Sequence, residues 1–130
     1  MMSNQEIYDK LGDIGTLTLI GVEMARIDGE VDNKEYEAIA NAFVRFASEE
    51  RRNKEGFNSM ISDVMEVIHG FESFEDKKSY VESALLHMTK KYEKDLRNAM
   101  LEEISNIAHA DDELHDHEAG LLNLCKRYFA

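Results

Sequence analysis

No proline occurs in the 130 residues of this chain, and glycine is sparse at seven. The two strongest interrupters of helices are thus absent or rare, which favours long helices with short connections. The apolar residues agree. Ile7, Leu11, Ile14, Leu17, Ile20, Met24 and Ile27 recur at steps of three or four and line one helical face. Gly12, Gly15 and Gly21 lie inside that run, so a bend or a close helix contact is expected there. The pattern stops at Asp28-Gly29.

A second helix is expected near Asp32, whose side chain suits a cap with Glu35 reaching back three residues on. Tyr36, Ile39, Ala40, Phe43 and Ala47 then offer an apolar face. A third helix carries Phe57, Met60, Ile61, Val64, Val67 and Ile68 and ends about Gly70. Ser73 is expected to cap a fourth, with Val81, Ala84, Leu85 and Met88 inward. A fifth runs through Leu96, Ala99, Met100, Ile104, Ile107 and Ala108 after a kink near Tyr92. The last spans about Asp116 to Tyr128, with Leu121, Leu122, Cys125 and Phe129 for the core. No run alternates with period two for long enough to form a strand. The expectation is an all-α compact bundle of six to seven helices in one domain over residues 1–130.

Acidic side chains outnumber basic ones 27 to 15, a formal net charge of −12. Such a field repels phosphate backbones and anionic lipid, which argues against nucleic acid or membrane insertion, and it attracts cations and basic partners. The single Cys125, set among leucines, reads as a buried inert thiol in a reducing compartment. The N-terminal residues show no signal-peptide pattern, and LTLIGVEMARI is too short and too charged to span a bilayer. The expected location is the cytoplasm. Seven methionines read as core filling, and SEERRNKE at 48–55 as a solvated helix end and turn.

One motif occurs twice. DGEVDNKE begins at Asp28 and DDELHDHE at Asp111, 83 residues later. At that offset Ala25 matches Ala108, Glu30 matches Glu113, Val31 matches Leu114, Glu35 matches Glu118 and Ile39 matches Leu122. Each copy reads as a helix end, an acidic turn, an apolar plug and a new helix with Glu in its first turn: a duplicated helix–acidic turn–helix unit. Neither copy makes a complete EF-hand loop. With Asp28 or Asp111 at the fifth position, the first and third ligand positions fall on Met24 and Arg26, or on Ile107 and His109. Packed about a pseudo-two-fold axis, however, Asp28, Glu35, Asp111 and Glu118 would converge on one site. Glu30, Asp112, Glu113 and His115 stand nearby as further donors. Four close carboxylates need a cation, a proton or basic neighbours, and an oxygen-rich site suits calcium, magnesium or manganese. Zinc through His109, His115 and His117 is the weaker choice. His115 and His117 are two apart and face different sides of a helix, and no cysteine lies close.

MARIDGEVDNKEYEAI at 24–39 and IAHADDELHDHEAGLL at 107–122 resemble the repeated signature of the tellurite-resistance protein B (TerB-like) family. The resemblance covers nearly the whole chain. It implies a small all-helical module of tellurite and general stress resistance, cytoplasmic or membrane-peripheral, in a family whose related domains are found fused to a membrane-anchored J-domain co-chaperone. It also implies metal binding through the repeated acidic residues, carried here by Asp28, Glu35, Asp111 and Glu118, with no catalytic activity. The second copy departs from the pattern, with Asp112 in place of glycine and His115 at the cap position. No nucleophile–base pair, phosphate-binding glycine loop or zinc signature argues for an enzyme. The expected function is a non-enzymatic module that binds a divalent cation or a basic protein partner. The alternative is a protein–protein adaptor whose carboxylates are only helix caps.

Overall fold

The computed structural model describes residues 2–25, 33–110 and 116–130, less the side chains of 116–118. The described residues form α1 (Asn4–Ala25), α2 (Asn33–Phe46), α3 (Lys54–Gly70), α4 (Phe74–Lys91), α5 (Lys94–Ala108) and α6 (Asp116–Phe129). A short 3-10 turn, Glu49–Arg51, links α2 to α3. There is no strand among the described residues, and the all-α expectation holds.

The central element is α1, which packs on each of the other five helices. Its sequence explains why. From Gly15 to Ala25 every residue is buried, and a helix apolar on all sides has to be enclosed. Leu19, Ile20 and Met24 of α1 meet Ile39, Met60, Val64, Leu85, Met88, Ile104 and Phe129 in one core. Met24, Met60, Met88 and Met100 fill that core, as expected of flexible apolar side chains.

Local signals fix the helix ends. The Asn53 side chain accepts from the Gly56 amide at 2.7 Å, and the Ser73 hydroxyl accepts from the Asp76 amide at 3.1 Å. Each satisfies a helix amide that would otherwise lack a partner. The bend expected in the first run lies at Gly12, where φ is 68° and ψ is −170°. Polar contacts hold the chain on its far side. Thr16 donates to the Gly12 carbonyl at 2.7 Å, and its hydroxyl lies 2.6 Å from that of Tyr80 on α4. Asp13 accepts from Lys91 at 2.9 Å and from the Tyr92 hydroxyl, which anchors the α4–α5 corner to α1.

Two apolar expectations need correction. Tyr36 is 44% exposed, because the buried face of α2 runs through Glu35, Ile39 and Phe43, four residues apart, and Tyr36 stands beside that row. Its ring still packs edge-on against Phe57, with centroids 5.3 Å apart. Leu96 is also exposed; the buried row of α5 begins at Met100. Residues 48–55 are exposed throughout, as their charges require.

Candidate functional site

The two helices that follow the acidic segments have matching C-terminal ends. α2 ends at Phe46 and α6 at Phe129. These two ends are 83 residues apart (46 to 129), the offset of the sequence motif itself.

The ends of α1 and α5 lie side by side. A Cβ placed on Gly21 would sit 2.9 Å from Cδ1 of Ile107 and 3.4 Å from Cγ1 of Ile39. Glycine lets the side chains of Ile107 on α5 and Ile39 on α2 lie against the α1 backbone, and a Cβ there would force the Ile107 methyl to shift. Asp13 meets Tyr92 at the start of α5, and Gly21 meets Ile107 at its end. The two helices therefore run in the same sense, and both C-terminal ends point the same way.

Glu35 belongs to this region. It is 6% exposed, in the first turn of α2, one helical turn from Ile39 on the same buried row. Since Ile39 faces Gly21 and Ile107, Glu35 lies one turn further towards the ends of α1 and α5. Full burial of a carboxylate is unusual without compensating partners. At the 83-residue offset its counterpart is Glu118 in the first turn of α6, preceding the buried Leu122 by one turn.

The remaining expected donors, Asp28, Glu30, Asp111, Asp112, Glu113 and His115, lie outside the described residues, as do the expected cap Asp32 and the side chains of Glu118 and His117. His109 is exposed at the end of α5, and its Nδ1 donates to the Ser105 carbonyl at 2.8 Å. Among the described residues no three His, Cys, Asp or Glu side chains group closely enough to hold a metal ion.

The family described as Tellurite resistance protein TerB matches residues 16–130. The chain belongs to the TerB family. The TerB match begins at Thr16, just beyond the Gly12 break, and takes in both acidic segments and all of α2 to α6. Neither the curated proteins nor the solved structures give a match to this TerB chain.

Sequence reasoning passed over one charged group in this TerB fold. Glu23 is 8% exposed in the most apolar stretch of α1, and Lys77 of α4 reaches it at 2.6 Å. The signal was present, since an acid inside an otherwise enclosed helix implies a cation brought from elsewhere in the fold. Cys125 is fully buried, and burial pushes its thiol up to about 12, which agrees with an inert core residue.

Proposed function

We infer that this TerB chain is a non-enzymatic acidic module whose two acidic segments together take one divalent cation, with Asp28, Glu35, Asp111 and Glu118 as the donors. The observation that carries this reading is the contact of Gly21 with Ile107, which sets the ends of α1 and α5 side by side. The buried Glu35 at the same end of the bundle supports it. Oxygen donors favour a hard cation such as calcium, magnesium or manganese over zinc. The net charge of −12 raises the local concentration of cations and of basic partner surfaces, which makes a basic protein the natural macromolecular partner of the same face. A cytoplasmic setting fits the single buried thiol, and no described helix is long and apolar enough to cross a membrane.

The adaptor reading has its own support: Glu35 stands in the first turn of α2, where a carboxylate favours the helix dipole without any ion. Calorimetric titration of the chelator-treated full chain with calcium and with manganese separates the two. A shared site predicts one ion per chain. Two ions per chain would mean separate half-sites, and no heat with either ion would leave the carboxylates as caps.

A further inference from the structure

α4 and α6 form the walls of a groove whose floor is α1. The cavity measures about 340 Å³. Ile20 lines its floor, Val81 one wall, and Leu121 and Leu124 the other. Phe74 stands at its lip, 60% exposed at the first position of α4. Lys77 turns inward to Glu23 at 2.6 Å and lies 5.8 Å from the Phe74 ring centre, so its charge is already engaged. Lys78 and Arg127 are both exposed and stand on the α4 and α6 sides of the groove. On a chain of net charge −12, an apolar valley with a cation on each bank is the reverse of the average surface. Gly120 forms part of the α6 wall, and no described atom comes within 4 Å of a Cβ built there. Glycine weakens a helix relative to alanine, and here it leaves the wall open.

We propose that this groove docks an amphipathic α-helix of a partner protein whose apolar stripe is bordered by Asp and Glu on both sides. A valley between two packed helices accepts a third helix by ridges-into-grooves packing, its anchors entering at steps of three and four. Acidic residues bordering the stripe then pair with Lys78 on one bank and Arg127 on the other. The same banks reject a helix bordered by lysine, even though the chain as a whole attracts basic partners.

The test uses two synthetic helical peptides of about 18 residues, long enough for five turns. They share one leucine stripe and differ only in Glu or Lys borders. Binding to the full chain is read by fluorescence anisotropy with chelator present. The Glu-bordered peptide is expected to bind about tenfold more tightly than the Lys-bordered one. Lys78→Glu with Arg127→Glu should reverse that order. Gly120→Trp, which fills the groove from an exposed helix position, should abolish binding while leaving the helical circular dichroism spectrum in place and the melting temperature no lower than wild type. The proposal is overturned if neither peptide binds, if the Lys-bordered peptide binds wild type as well, or if binding survives in folded Gly120→Trp. Retention of decanoate or anionic vesicles with no peptide binding would also overturn it, as would self-association of the chain blocked by Gly120→Trp in the absence of peptide binding.

Discussion

Lys77 on α4 holds its ammonium 2.6 Å from the carboxylate of Glu23 on α1, with the acid side chain 10% and the base side chain 25% exposed. This pair ties α4 to the enclosed half of the central helix. Lys77→Met keeps the stem and removes the charge that α4 brings to the Glu23 carboxylate. The expected cost is about 2 kcal/mol, below that of a wholly buried pair because Lys77 is partly solvated. Glu23→Gln, which removes the charge that needs compensation, should cost less. Urea midpoints decide this, and equal midpoints for Lys77→Met and wild type would contradict it.

Two glycines should respond to alanine in opposite directions. At Gly12, φ 68° with ψ −170° is a conformation open to glycine almost alone. No described atom lies within 4 Å of a Cβ there, so the penalty of Gly12→Ala is conformational, about 1–3 kcal/mol. Gly120 has ordinary helical geometry and an equally open surround, so Gly120→Ala should stabilise by about 0.5–1 kcal/mol. A stabilised Gly12→Ala protein would show that α1 runs straight through.

Alkaline pH tests the Thr16–Tyr80 contact. Burial raises the Tyr80 hydroxyl from an ordinary 10 to about 12, with the Thr16 hydrogen bond opposing the shift. A raised folded-state value means that the stabilising contribution is complete below pH 10. It is then lost as pH climbs towards 12, because the unfolded chain releases its proton first. Tyr80→Phe should lower stability at neutral pH by about 1 kcal/mol and flatten the fall between pH 10 and 12. Parallel pH profiles of wild type and variant would contradict the assignment.

Cys125 should resist iodoacetamide in the native protein. Its thiol is fully buried and held near 12, so thiolate is scarce and inaccessible. Alkylation followed by mass spectrometry should proceed at the rate of global opening and accelerate with urea. Rapid labelling without denaturant would place the thiol at the surface.

The fold was legible because its signals are local and repeated. Steps of three and four marked each helix, Ser73 marked a helix start, and the glycines of the first run marked both the break at Gly12 and the close contact at Gly21. Tyr36 and Leu96 misled because periodicity shows that a residue borders an apolar face without fixing where the face ends. The Glu23–Lys77 pair and the groove of Lys78 and Arg127 were not legible, since each joins helices far apart in the chain. Of the candidate cation site, the offset of 83 was readable directly, and the ends of α2 and α6 at Phe46 and Phe129 keep it. That α1 and α5 run side by side is a property of packing, which no single segment encodes.

The shared cation is tested most directly by thermal melting of the chelated chain against the same chain with calcium or manganese. At about 100 times its dissociation constant a bound ion adds roughly 2.7 kcal/mol. For a domain of this size that is about 10 °C, at about 4 °C per kcal/mol. Asp28→Asn with Asp111→Asn keeps shape and hydrogen bonding while removing two charges. The account predicts that this double variant melts at or above the wild-type temperature without ion, because carboxylate repulsion is relieved, and that it loses the rise with ion. A wild-type melting temperature unchanged by every divalent ion, with or without chelator, would contradict it.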